Sequence, residues 1–309
     1  MKINDSENIK GGGFIAFGML LLAIGDNYIR YTTETIGLWQ FHLTRSLIAI
    51  PILIIALNKN IKGILPQNFK PVFMRTLFMV SAMLIYFGSL AFLPISYVAA
   101  GLFTSPLFVI IFSIFFLKEP IYISRVFAVF IGSFGVVLVL NLKFHDFSIL
   151  NLFPVLAGAL YAWASIITRQ RCRDEDPRSL MFMFFCGIGL VSFAILLLIE
   201  INQIFALHPI SSNFLTVPLT ALNLQVFAII FMHAVVSVIG GVLITLGYQK
   251  GRTSFVAVFE YSFLFFATFW GYMFFSDYLS VFMLLGMLLI ASSGLVISIT
   301  QTQSKMLKR

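Results

Sequence analysis

Ten runs of apolar residues, each continuous and each closed by a polar break, constrain this chain more than any other feature. They are Gly13 to Ile29, Gly37 to Leu57, Val72 to Phe92, Ser96 to Leu117 and Tyr122 to Leu140, followed by Ser148 to Thr168, Ser179 to Ile199, Leu224 to Tyr248, Thr253 to Phe275 and Val281 to Thr300. A helix crossing a bilayer needs about 20 apolar residues. A strand of a membrane barrel alternates apolar with polar positions instead. The expected fold class is therefore an all-α polytopic membrane protein with ten transmembrane helices. Pro94 is expected to separate the third and fourth runs, because the residue before a proline is driven out of helical conformation. Charged residues make up 10% of the sequence, against about 25% in soluble domains. That excludes a soluble enzyme, a nucleic-acid-binding module and a disordered chain.

The net charge of +8 is a matter of topology. The even-numbered loops, the run starts that border them (Arg75 and Arg125) and the two tails hold seventeen of the 20 lysines and arginines, the odd-numbered loops hold Arg30 and Lys143, and Arg45 lies deep inside a run. Basic residues collect on the cytoplasmic side of membrane proteins. Both termini are therefore expected in the cytoplasm, and no nucleic-acid partner is expected. The first run is expected to stay as a helix: Asp26, Asn27, Tyr28 and Arg30 close it without a small-x-small cleavage pattern. Ten helices of about 22 residues fill roughly 220 positions, leaving no room in this sequence for a large extramembrane domain. Cys172 and Cys186 have neither the spacing of a zinc site nor that of a disulfide framework.

Sliding the sequence by 158 positions lays Ser96-Tyr97-Val98-Ala99 over Ser254-Phe255-Val256-Ala257, and Glu119 over Asp277. With five helices per half, the two halves would run in opposite directions through the membrane. The implied organisation is one five-helix repeat over 13–140 and an inverted one over 148–300. Residues 1–12 and 301–309 form cytoplasmic tails.

The stretch LAFLPISYVAAGLFTSPLFVIIFSIFFLKEP and the following RVFAVFIGSFGVVLVLN resemble the fourth and fifth helices of the EamA-type family of the drug/metabolite transporter superfamily. Arg45 in the second helix, Arg75 opening the third, LYAWASIITR in the sixth and VAVFEYSFLFFATFWGYMFFSD in the ninth fit the same order. The resemblance runs from Gly13 to Thr300. It departs where Phe275-Ser276-Asp277 stands in place of a usual Gly-Glu ending. It implies two inverted five-helix halves that carry small metabolites across a bacterial-type inner (plasma) membrane by alternating access. Amino acids, amines, S-adenosylmethionine-like cofactors and vitamins such as riboflavin are all open as substrates, taken up or exported.

Ionisable side chains inside spans are costly and normally face protein or water. Asp26 and Arg45 lie at comparable depths, which allows either an ion pair between the first two helices or contact with substrate. Asn27 adjoins Asp26. Glu260, between Phe259 and Tyr261 in the ninth run, has no evident partner. A carboxyl group in a low dielectric can take a proton or hold a cation, and exchange one for the other. Glu260 is therefore the leading candidate for substrate binding or proton coupling. His42 and His233 are expected as neutral histidines bonded across helices, or as substrate contacts. Neither has a carboxylate or thiol at helical spacing, so no metal site is expected. Tyr86, Trp163 and Tyr261 each carry a polar tip that needs a partner in mid-membrane. Aromatic walls beside a carboxylate would suit cationic, planar or amphipathic solutes.

Gly132 and Gly135 in the fifth helix, with Gly286 and Gly294 in the tenth, permit close helix approach. They serve either packing within one chain or a homodimer. Pro106 should kink the fourth helix, and Pro51 the second. No phosphate-binding loop is present, so ATP is not the direct power source and no cofactor is implied. A membrane-embedded enzyme would need converging acids, a nucleophile–base set or a metal cluster, and a channel would need rings of charge or carbonyls. Neither pattern is visible.

Overall fold

The computed structural model describes residues 5–29, 31–32, 35–56, 64–90, 92–116, 122–142, 149–204 and 214–306. Regular structure among them is entirely helical. In chain order the α-helices are α1 (Asp5–Ile29), α2 (Leu38–Ala56), α3 (Phe69–Ser89), α4 (Ile95–Leu102), α5 (Ser105–Phe115) and α6 (Ile123–Val139). The second half holds α7 (Leu152–Arg171), α8 (Pro177–Ile204), α9 (Leu224–Lys250), α10 (Thr253–Val256), α11 (Ser262–Phe275) and α12 (Val281–Met306). Among the described residues, 9 spans are long and apolar enough to cross a membrane. Two of them are composite: α4 with α5, and α10 with α11. The tenth expected helix is α6, shorter at 17 residues. With so many apolar spans, this is a multi-pass membrane protein.

Side-chain chemistry fixes several helix starts. Asn223 accepts the amide of Val226 at 2.8 Å and caps α9, satisfying one of the amides that a helix start leaves unpaired. The carboxylate of Glu175, in the turn after α7, accepts the amides of Gln67 (2.9 Å) and Asn68 (2.6 Å) just ahead of α3. Pro94 separates α3 from α4 as expected and stands at the N-cap of α4. Pro106 lies in the first turn of α5, where its missing amide costs nothing; the helix stops and restarts before it rather than bending at it. Pro51 sits inside an unbroken α2.

The two composite spans are interrupted in the same way. In the first, the hydroxyl of Thr104 donates to the carbonyl of Gly101 at 2.6 Å, and the amide of Thr104 turns to the same carbonyl. In the second, residues Ala257–Tyr261 form a 3₁₀ helix, and the hydroxyl of Ser262 donates to the carbonyl of Phe259 at 2.6 Å. Short 3₁₀ stretches within a span often mark functional hinges.

The helices pack in pairs. α1 lies against α9 and against the α10–α11 span, while α7 lies against α3 and against the α4–α5 span. α2 packs on α8, and α6 on α12. Glycines permit the tightest approaches. A Cβ at Gly135 would stand 2.8 Å from the Gly286 carbonyl, and one at Gly286 would stand 2.7 Å from the Gly135 carbonyl. Both glycines thus serve packing inside one chain. The outward sides of α6 and α12 present Phe127, Phe130, Phe134, Leu284, Leu285 and Leu288, an apolar surface suited to acyl chains.

Three arginines counted among the topological charges are in fact buried. Arg75 is 2% exposed and Arg125 2% exposed. Arg125 donates to Ser254 at 2.7 Å and covers the Tyr122 ring. Arg169 donates to the carbonyl of Gln249. Glu119, Arg30 and Lys143 lie outside the described residues.

Candidate functional site

A cavity of about 210 Å³ lies between α1, α2, α3, α7, α8, α9 and the two interrupted spans. Its wall is mostly thioether and aromatic, and three polar groups interrupt it.

The first group is built on Glu260, in the 3₁₀ segment and 2% exposed. Oε2 accepts from the hydroxyl of Ser105 at 2.8 Å and Oε1 from that of Tyr248 at 2.5 Å. Tyr161, on α7, also lines the cavity. Ser105 is the first residue of α5, just past the other interruption. The two interrupted spans therefore meet at this carboxyl, with a hydroxyl from α9. The sequence suggested an acid without a partner; the fold supplies two.

The second is Arg75 on α3. Its Nε donates to Thr168 Oγ1 at 3.1 Å, Nη1 to the Leu180 carbonyl at 3.1 Å, and Nη2 to Thr245 Oγ1 at 3.4 Å. Every one of these acceptors is uncharged.

The third joins α1, α2 and α9. Asp26 Oδ1 lies 2.9 Å from His233 Nε2, and Ser237 Oγ lies 3.0 Å from His233 Nδ1. A neutral imidazole with its proton on Nε2 satisfies both contacts: it donates to Asp26 and accepts from Ser237. The expected Asp26–Arg45 pair is not formed, since the two side chains do not come within 4.0 Å. His233 faces α1 across Gly25, whose added Cβ would stand 3.1 Å from the ring, and so it reaches the carboxylate first. Arg45 is 7% exposed and instead lies 5.6 Å from the ring centres of both Phe41 and Phe185. Its Nε has no hydrogen-bond partner among the described residues.

The cavity thus brings Asp26, Arg45, Tyr86, His233 and Glu260 together. The other candidates lie off its wall. Asn27 donates to the carbonyls of Ala23 (2.9 Å) and Ala267 (3.1 Å), tying α1 to α11. His42 is buried with both ring nitrogens unpartnered among the described residues, edge-on to Phe87 at 4.4 Å. Trp163 sits in an aromatic cluster with Phe78, Phe112 and Phe116. Tyr261 is fully buried, and its hydroxyl pairs with Ser133 at 2.9 Å. Arg75, Ser105, Tyr161 and Tyr248 escaped the sequence reading. The need of a mid-membrane hydroxyl for a partner applies to both tyrosines and could have found them. No group of three His, Cys, Asp or Glu placed to hold a metal ion occurs among the described residues.

Comparison with known proteins agrees with this architecture. Residues 9–141 match the EamA-like transporter family. That family lies within the drug/metabolite transporter superfamily. The chain is 28% identical over 145 residues to a riboflavin transporter of Brucella anthropi, covering 47% of this chain and 50% of that protein. The match therefore spans about half the length of that relative. The pseudopaline exporter CntI of Pseudomonas aeruginosa is 24% identical over 217 residues, 70% of each protein. A solved crystal structure superposes with a TM-score of 0.74 at 14% identity, covering 94% of this chain and 98% of the other. That likeness concerns the fold alone.

Proposed function

We propose that this protein is a secondary transporter that moves small organic molecules across the cytoplasmic membrane by alternating access. Ten spans would form two inverted five-helix repeats, 13–140 and 148–300, with both termini in the cytoplasm. The helix pairing supports this. Exchanging each span of the first half with its counterpart in the second turns the contact of α1 with α9 into that of α7 with α3. The contact of α1 with the α10–α11 span likewise becomes that of α7 with α4–α5, while α2–α8 and α6–α12 map onto themselves. The 158-residue offset also carries Thr104 onto Ser262 and Gly101 onto Phe259, the two hydroxyl–carbonyl bonds at the interruptions.

The observation that carries the reading is the meeting of both interrupted spans at Glu260 in the cavity wall. Transporters built from inverted repeats place their sites at such discontinuous helices. A carboxyl group held by hydroxyls from α5 and α9 changes its hydrogen bonding when it gains or loses a proton. Protonation would then loosen or tighten the contact between the halves and couple proton movement to substrate movement.

The substrate is read as a metabolite of amino-acid, amine or cofactor size; the names of the two relatives make riboflavin and pseudopaline the first solutes to test. Thermal-shift screening of metabolites on detergent-purified protein would identify ligands by the stabilisation they confer. Counterflow of the best ligand in proteoliposomes then tests carriage. Glu260→Gln should retain the fold but lose acceleration of uptake by an imposed proton gradient. Unchanged gradient-driven uptake would remove Glu260 from the mechanism. Turnover of a solute by purified protein in a single compartment would favour an enzyme instead.

A further inference from the structure

Among the described residues, Arg45 is the cavity-lining arginine whose Nε meets no hydrogen-bond acceptor. Arg75, its counterpart in the wall, meets three acceptors. Arg45 has ring faces on two sides and an Nε without a partner among the described residues. Both acids of the cavity are engaged elsewhere: Asp26 holds His233 and stands beyond 4.0 Å from Arg45, and Glu260 is held by hydroxyls. A guanidinium stays charged at any accessible pH and presents five donors in a flat fork that matches a carboxylate. Buried in low dielectric, such a group calls for an anion. Phe41 and Phe185 stand against the guanidinium, each with its ring centre 5.6 Å from Cζ.

We infer that the solute taken by this cavity carries an anionic oxygen group, a carboxylate in the simplest case, that docks on Arg45. The apolar body of the solute lies among Met79, Met83, Met181, Phe184 and Phe263. Thioethers and aromatic rings adapt to varied apolar shapes, so specificity rests on the charge at Arg45 rather than on the outline of the body. This assignment rests on the carrier reading of the same cavity and sharpens it: the required charge on the solute is negative.

The test uses three solutes with one carbon skeleton: 3-phenylpropanoate, 3-phenyl-1-propanol and 3-phenylpropylamine. Each is titrated against the purified full-length protein in chloride-free buffer, with thermal stabilisation as the readout. The carboxylate should stabilise wild type more than the alcohol, and the amine least. Its apparent affinity should fall at least about tenfold in Arg45→Gln, the worth of a charge-assisted hydrogen bond, and by less in Arg45→Lys, which keeps the charge. A carboxylate no better than the alcohol on wild type overturns the inference, and that comparison needs no variant to fold. So does full carboxylate binding in a folded Arg45→Gln. Proteoliposome counterflow of 3-phenylpropanoate separates the two claims: Arg45-dependent binding without counterflow upholds the anion site and counts against carriage.

Discussion

Gly132→Ala is a single-methyl substitution whose effect should spread from packing to the site. Gly132 is in α6, and a Cβ there would stand 2.4 Å from Cδ2 and 2.5 Å from Cε2 of Tyr261. Ordinary contact begins near 3.4 Å, so the overlap approaches an ångström. The ring has no free volume to move into, because Tyr261 is fully buried and anchored through its hydroxyl to Ser133. Forcing a methyl group into a filled interior costs about 1–3 kcal/mol, and losing the Ser133 bond adds about 1 kcal/mol. Tyr261 follows Glu260 in the same 3₁₀ turn, so displacing its ring also shifts the carboxyl group away from Ser105 and Tyr248. The substitution should lower the melting temperature in detergent and weaken ligand stabilisation together. Gly13→Ala is the matched control: a Cβ there meets nothing within 4 Å, and alanine is the better helix former by about 1 kcal/mol. It should leave stability unchanged or slightly raised. Equal melting temperatures for Gly132→Ala and Gly13→Ala would refute the packing argument.

Other substitutions probe separate joints of the fold. Asn223→Ala removes the cap of α9 and should cost about 0.5–2 kcal/mol, read as a lower melting temperature; no change would mean that the capping bond contributes nothing. Glu175→Ala strips two amides ahead of α3 of their acceptor and should destabilise by about 1–3 kcal/mol; a smaller loss than for Asn223→Ala would contradict its buried, charge-assisted geometry. Hydrogen bonds from Arg178 hold the Asp176 carboxyl below the usual carboxylate range. A depressed folded-state pKa adds stability above the unfolded value that is lost as pH falls through the folded one. The wild-type advantage over Asp176→Asn should therefore be present at pH 7 and shrink below about pH 4, and a gap that widens in acid would reverse this assignment.

The apolar runs and Pro94 made the spans legible in the sequence, because membrane burial is a property of each segment taken alone. The 158-residue offset suggested a correspondence of the fourth and ninth spans through four residues, and the hydroxyl–carbonyl bonds at Thr104 and Ser262 fall at the same offset. What the sequence did not contain was which polar groups meet. Asp26 was matched with Arg45 because their depths agree, yet depth says nothing about azimuth, and α9 presents His233 to α1 at closer range. Glu260 looked solitary because Ser105 and Tyr248 are 155 and 12 positions away along the chain and converge only through packing. Arg75 was assigned to a loop because it stands near the start of its run. Its burial follows from the contact of α3 with α7, whose Thr168 supplies an acceptor.

Two kinds of polar group share the cavity, and they differ in how completely the protein satisfies them. Glu260 accepts from two hydroxyls, and Arg75 donates to three uncharged acceptors. These partners come from helices of both halves: Ser105 from the first, and Tyr248, Thr168 and Thr245 from the second. In the proposed carrier these groups would act as joints between the two halves, and a change of protonation at Glu260 would act on the joint. Arg45, by contrast, lies beside rings that offer it no lone pair. A residue kept in that condition is stabilised when a ligand arrives, and the conformation in which ligand and arginine meet gains the corresponding energy. Proton at the joint and solute at the open guanidinium would then bias the same rearrangement from two places. The coupling between them is a free-energy difference shared by both sites, so whatever proton occupancy does to solute affinity, solute occupancy must do in equal measure to proton affinity.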